Sequence, residues 1–189
     1  MSELSQSDIN QIIKIESEIM LQDALITPMI IGLSIDKNIN YDNALNYISN
    51  IFKELFRVGN LKIIAYLYEG NPISYAMVIH FPGDKFYLHR IYVEEKYRME
   101  GIGSLVLSTV KERFSPICFI SSIGKEHFFE KNGFNKVSIL SSADAKKTQS
   151  LSIYKGLTIM SNKKKSKSCQ FFFLDDDDFK EIRSLLLDK

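Results

Sequence analysis

Residues 8–21 carry Ile9, Ile12, Ile13 and Ile19 close to a 3.6-residue stripe, which predicts a first helix capped by Ser5 or Ser7. A second stripe of Ala44, Leu45, Ile48, Ile51, Phe52 and Leu55 predicts a helix over 41–57, ended by Gly59. Residues 22–40 between them keep no clean period and read as a loop with at most a short helical turn. The period then changes to two. "LKIIAYLYEG" and "NPISYAMVIHF" read as strands joined at Glu69-Gly70-Asn71-Pro72, and "PGD" turns the chain into a third strand, Lys85 to Val93. Ile102, Leu105, Val106, Leu107, Val110 and Phe114 return to helical spacing over 102–114. Beyond them "PICFISS" reads as a short buried strand, "GKEHFFEKNG" as a short helix, "FNKVSIL" as a strand and "SLSIYKGL" as the last strand. This order packs most simply as an α+β fold, a mixed sheet covered by helices on both faces.

The pattern breaks after Met160. Residues 1–160 read as one domain and 161–189 as an appendage docked on it. Within the appendage "SNKKKSKS" reads as a solvated linker and "CQFFFL" as an added edge strand. "DDDDFKEIRSLLLDK" reads as a helix with its acidic residues at the positive end and Phe179, Ile182 and Leu186 facing inward. The aspartate run lacks the glycine and distal glutamate of a calcium loop, so no metal site is expected there.

Composition narrows the classes. The chain has 189 residues, 45% hydrophobic and 25% charged, the profile of a globular domain. With 24 Lys+Arg against 23 Asp+Glu there is no basic field for nucleic acid, and "KKKSKS" has no interleaved aromatics. Cys118 and Cys169 have neither the number nor the spacing of a disulfide framework or zinc site. "MSELSQSDINQ" lacks a signal-peptide pattern, and the apolar run "LITPMIIGL" is too short to span a bilayer. A cytoplasmic, reducing location and no membrane partner are the expectation.

Between the third strand and the helix that follows stands "YRMEGIGS", Tyr97 to Ser104. Two glycines one residue apart at a helix start let an anion approach backbone N–H groups, and the helix dipole favours negative charge there. Phosphate fits this description. A P-loop would need Gly-Lys-Ser/Thr at its end, and a dinucleotide fingerprint a third glycine where Val106 stands. Neither fits.

Arg98-x-x-Gly101-x-Gly103 after a strand ending in an apolar-x-Val step is followed, at residues 127–134, by "HFFEKNGF". On these two motifs and the element order between residues 5 and 157, the chain resembles the GNAT family of acyl-CoA-dependent N-acyltransferases. "LHRIYV" and its spacing to "SLSIYKGL" are most similar to branches that acetylate polyamines and other small amines. The resemblance implies that family's mixed, mostly antiparallel sheet. It also implies acetyl-CoA as co-substrate, no metal, and direct attack by an amine of a small molecule or peptide in a ternary complex. The reaction would lie where two parallel strands splay. The backbone of Ile91, Tyr92 and Val93 would hold the pantetheine arm. Arg98, Met99, Glu100, Gly101, Ile102, Gly103 and Ser104 would hold the pyrophosphate, and Lys131 a further CoA phosphate. One of the positions matching Tyr87 and His89 carries the base in related enzymes. Tyr87, His89 and Ile91 alternate onto one strand face, and His89 titrates in the useful range, which makes it the candidate over His80 and His127.

Three departures accompany the resemblance. Phe129 stands where the family usually has a tyrosine that protonates the leaving thiolate; a thiol with a pKa of about 8.5 leaves tolerably as its anion, and a water, Tyr92 or Tyr154 is an alternative donor. Ser122 replaces a common asparagine and Lys125 a small residue. Met99-Glu100 replaces the usual Gly-Lys, placing a carboxylate near the expected phosphate. Two readings therefore stay open: an active acetyltransferase, or a weak or inactive domain that binds acyl-CoA or a protein partner. The acceptor would be chosen by residues 22–40 and 141–150, with Asp23, Asp36, Asp42 and Asp144 available to a polyamine. The apolar face of the appendage leaves a homodimer open.

Overall fold

The structure, a computed structural model, describes residues 4–26, 39–141, 154–164 and 169–187. Helix α1 spans Gln6–Leu25 and α2 spans Tyr41–Arg57. Strands β1 (Leu61–Tyr68), β2 (Asn71–Phe81) and β3 (Lys85–Val93) form a meander. A 3₁₀ turn, Glu95–Tyr97, leads to α3 (Ile102–Arg113). There follow β4 (Ile117–Ser121), α4 (Glu126–Lys131), β5 (Asn135–Ile139), β6 (Thr158–Ser161) and α5 (Asp176–Leu187).

Local chemistry sets several of these boundaries. Ser5, not Ser7, caps α1: its Oγ accepts from the Asp8 N–H at 3.2 Å, while the Asp8 carboxylate accepts from the Ser5 N–H at 2.9 Å. At α5, Asp175 Oδ1 accepts from the N–H groups of Asp177 and Asp178, both at 2.9 Å, so the acidic run does stand at a helix start.

Among the described residues the six strands form one sheet in the order β1-β2-β3-β4-β6-β5. All neighbours are antiparallel except β3 and β4. Helices cover both faces. Tyr66 of β1 meets Thr109 of α3 across 3.0 Å. Its neighbour Ala65 pairs with Tyr75 of β2, and the Tyr75 side chain lies on the other face, near Glu16 of α1. The core fills both layers: Ile12, Ile48 and Phe52 on the α1/α2 side, and Val106, Leu107 and Val110 from α3, are all fully buried.

Four expectations are corrected. The last strand falls at Thr158–Ser161, later than "SLSIYKGL"; Tyr154 to Gly156 form a turn, and residues 151–153 lie outside the described residues. Asn162 explains the register, since its Oδ1 accepts from the Ile117 N–H at 3.0 Å and its Nδ2 donates to the Phe114 carbonyl at 3.2 Å. "CQFFFL" adds no strand to the sheet. Its three rings instead pack on aromatic side chains, Phe171 on Tyr87, Phe172 on His89 and Phe52, and Phe173 on Tyr154. Cys118 and Cys169 form a disulfide across a sequence separation of 51, with Cα atoms 5.8 Å apart. Count and spacing cannot show a pairing made when a distant segment folds back on β4. No helix among the described residues is long and apolar enough to cross a membrane. A bulge in β3 overturns the fourth, the strict alternation of Tyr87, His89 and Ile91.

Candidate active site

In β3, Arg90 pairs with Met77 and Leu88 with Val78, leaving His89 as an extra residue without a partner on β2. This bulge breaks the strict alternation expected of Tyr87, His89 and Ile91. Beyond it Arg90 and Tyr92 stand opposite Met77 and Tyr75, while Ile91 stands opposite Ala76 and so on the other face. His89 and Arg90, adjacent in sequence, consequently reach the same partner. Glu16 of α1 is fully buried. Its Oε1 lies 3.1 Å from His89 Nε2, and Arg90 donates to it through Nε at 3.0 Å to each oxygen and through Nη2 at 2.8 Å. Such a forked, charge-assisted contact is the strong kind of hydrogen bond.

The electrostatics follow from these contacts. Burial pushes the Glu16 carboxyl up, but the contact with His89, together with the Arg90 guanidinium, outweighs it and holds the group below its usual value. Burial opposes the charge on Arg90 too, and Glu16 more than compensates, so the guanidinium stays firmly protonated. Asp23, about two helical turns along α1 from Glu16, lies 3.7 Å from Arg90 Nη2. Its carboxyl is raised, because burial outweighs the attraction of Arg90. The phenols of Tyr75, Tyr87 and Tyr154 are all raised by burial in the first place. Around His89 the packing is aromatic. Phe52, Phe172 and Tyr87 lie 5.4, 5.6 and 5.9 Å from its ring centroid, and its Nδ1 is buried with no hydrogen-bond partner among the described residues. Sequence reading missed Glu16 and Arg90. A glutamate three residues beyond Ile13 in an apolar stripe was the available signal.

Next to this cluster the sheet opens. β3 and β4 pair only at Phe86 with Ile117 and Tyr87 with Cys118, after which β4 continues alongside β6 alone. The Glu94 N–H donates to the Ile73 carbonyl at 2.9 Å, and the Tyr92 carbonyl accepts from Ser74 Oγ at 2.7 Å. Backbone groups at 92 and 94 thus face β2, and those at Ile91 and Val93 face the side where β4 has parted. The Val93 carbonyl accepts from Arg98 Nε at 3.0 Å, which ties the strand end to the loop.

The loop completes the site. Met99 is fully exposed in a left-handed conformation (φ 68), and Glu100 is exposed beside it. Gly101 (φ 81) caps α3, and open space surrounds the position its Cβ would take. The first helical bond runs from the Leu105 N–H to the Gly101 carbonyl at 3.1 Å, so the N–H groups of Ile102, Gly103 and Ser104 precede the ladder. That is the cradle expected for a phosphate at a helix N-terminus. Residues 60–136 match the family model of the acetyltransferase (GNAT) domain. Over this stretch the chain is similar to GNAT acetyltransferases.

No curated protein matches the chain. Among solved structures, an aminoglycoside 6'-N-acetyltransferase complexed with coenzyme A is 12% identical, over 65% of this chain and 83% of that one, with a TM-score of 0.49. A proposed GNAT-family acetyltransferase from Desulfovibrio desulfuricans is 16% identical over 74% and 91%, also at 0.49. A proposed streptothricin acetyltransferase from Bacillus anthracis, in complex with acetyl coenzyme A, is 19% identical over 54% of this chain, with a TM-score of 0.44; the chain spans 62% of that protein's length.

Around this opening the remaining candidates separate. Ile91, Val93, Arg98 and the first turn of α3 converge on the opening between β3 and β4. Tyr92 turns its backbone to β2 and stacks its ring on Tyr75 at 5.1 Å. Phe129 is buried, 4.5 Å from the Phe119 ring and 6.3 Å from Phe134, so α4 uses it as a core residue. Ser122 is exposed beyond β4, where its carbonyl accepts from the Lys125 N–H, and Lys131 is exposed at the end of α4. Of the acidic residues offered to an acceptor, Asp23 lies at the Arg90 cluster and Asp42 in the first turn of α2. Asp36, Asp144 and the loop at 142–150 lie outside the described residues.

Proposed function

We propose that this protein transfers an acetyl group from acetyl-CoA to an amine. The observation that carries the reading is the junction of the Gly101 turn with the open edge of β3, a phosphate cradle placed beside free strand N–H groups. In this reading Arg98 to Ser104 hold the pyrophosphate, and Ile91 and Val93 hold the pantetheine arm. Their N–H groups are suited to a developing oxyanion.

A primary amine with a pKa of about 10.4 must lose a proton before it attacks. In the proposed step the amine nitrogen bonds to the thioester carbonyl carbon, the C–S bond breaks and the thiolate leaves with the electron pair. The amine proton passes to His89. Tyr87, buried and with its phenol held protonated, serves as a wall of the pocket rather than as base. The leaving thiolate departs unprotonated, since Phe129 offers no donor.

The enclosed Phe129 also favours a second reading, a domain that holds acyl-CoA with little turnover. Calorimetric titration with acetyl-CoA, beside an Arg98→Ala/Gly103→Trp variant, followed by assay of CoA release with a panel of amines, separates the two. Binding lost in the variant, with amine-dependent release in the parent, supports the transferase. Binding without release supports the second reading, and absence of binding overturns both.

A further inference from the structure

Glu16 comes from α1, outside the residues matched by the family model, yet it is the most heavily engaged carboxylate at the site. An ionised carboxylate only accepts hydrogen bonds, so the 3.1 Å contact requires His89 Nε2 to carry the proton. We infer that Glu16 is a positioning residue: it locks His89 in the tautomer whose free lone pair is on Nδ1, and Arg90 holds Glu16 in place. The inference rests on the acetyl-transfer reading for its use, though not for its geometry.

The consequences are specific. The neutral ring cannot move its proton to Nδ1 without presenting an Nε2 lone pair to the carboxylate. Nδ1 is buried among the Phe52, Phe172 and Tyr87 rings, so it takes the amine proton only once the acceptor or a water enters there; the imidazolium then forms next to an anion already in place, and no charged group has to move. Among the described residues, the titratable groups facing the pair are Arg90 on β3, Asp23 on α1, the phenols of Tyr75 and Tyr87, and Tyr154 beyond them. Phe52 from α2 and Phe172 from the C-terminal segment contribute only apolar rings. The bulge is part of the device, because in a regular strand His89 and Arg90 could not both face α1.

The decisive measurement is the ring-nitrogen NMR spectrum of the 15N-labelled parent protein, with the His89 signals assigned by their loss in His89→Gln. We expect a protonated Nε2 and a bare Nδ1; a protonated Nδ1 with a bare Nε2 would overturn the inference. This arm needs no substitution at Glu16 and no activity. In Glu16→Gln the ring should sample both tautomers. The kcat should then fall at least about tenfold while KM for acetyl-CoA stays within about twofold, as for other residues that orient a histidine base. An unchanged kcat in a folded Glu16→Gln protein, or a loss confined to KM, would also overturn it. If the parent binds acetyl-CoA and releases none with any amine, the acetyl-transfer reading falls, while the ring spectrum still decides whether Glu16 sets the tautomer.

Discussion

Gly103 of α3 faces Phe128 of α4 so closely that a Cβ at 103 would lie 3.2 Å from the ring Cζ and 3.6 Å from Val93 Cγ2. The glycine thus serves packing as well as anion approach, bringing α4 against the junction of β3 and α3. Its φ is not in the left-handed region, so the contact alone decides the cost of a side chain. Phe128 is more than a third exposed, and its ring tip can yield by a few tenths of an ångström. Alanine also favours helix by up to about 1 kcal/mol over glycine.

We therefore expect Gly103→Ala to leave folding stability within about 1 kcal/mol of the parent, measured by urea unfolding, while weakening acetyl-CoA binding. A Phe128→Ala partner substitution should not restore that binding. Its restoration would show that the glycine matters for packing alone.

The buried Glu16–Arg90 pair predicts a pH dependence with a definite sign. A carboxyl held below its ordinary value contributes stability that is fully present above the unfolded value, 4.5, and is lost as pH falls through the folded one. Asp23 is raised, so between its unfolded value of 3.8 and its folded one the native state binds more protons, and stability rises as pH falls. Glu16→Gln should destabilise by about 3 kcal/mol at pH 7 by leaving the buried Arg90 with only the longer Asp23 contact as an ionic partner, and should flatten the acid limb of the stability curve. Asp23→Asn should raise the urea midpoint at pH 7. A fall on that substitution would mean that the Arg90 contact outweighs burial at this site.

The elements and the glycine turn at the start of α3 are legible in the sequence because each rests on local chemistry. Isoleucine spacing, the Glu69-Gly70 turn and the Gly101-x-Gly103 step need few distant partners. The site chemistry was less legible because its pieces meet only in three dimensions. Glu16 looked like one polar position in an apolar helix stripe; its partners lie more than 70 residues away across α1 and β3. Period-two reading assigned Ile91 to the His89 face because a bulge leaves no mark in composition. The Phe171–Leu174 run has the residues of a strand, and its rings found aromatic partners instead of a ladder.

Cys118 and Cys169 close a long loop, and the chain-entropy estimate for their separation of 51 residues is about 4 kcal/mol. We expect reductant, or Cys169→Ser, to lower stability by about 2–4 kcal/mol. The loss should be local first. Helix α5 keeps its own anchors, with Phe179, Ile182 and Leu186 buried and the Tyr47 hydroxyl donating to Asp178 at 2.7 Å. Hydrogen exchange should consequently accelerate at residues 169–174 before it does in α5. Equal acceleration in both would show that the disulfide, not the helix, holds the appendage.

Met99 sits at φ 68 with its side chain wholly in solvent, at the position where the resembling family usually places glycine. A left-handed conformation costs a residue with a Cβ about 1–2 kcal/mol, and glycine's extra unfolded-state freedom costs about 0.5–1 kcal/mol. The side chain makes no packing contribution to set against this, so Met99→Gly should stabilise the protein slightly, by up to about 1 kcal/mol. Glu100, exposed in the same turn, carries the wrong charge for a bound pyrophosphate. A charge about 4 Å from a phosphate is worth about 1 kcal/mol in water and about 4 at an effective dielectric of 20. Glu100→Lys reverses that sign, and should tighten acetyl-CoA binding at least about tenfold at low salt, less at high salt. The double variant Met99→Gly/Glu100→Lys should show both gains in one titration. Unchanged affinity with improved stability would mean that the turn is strained as described but that Glu100 points away from the phosphates.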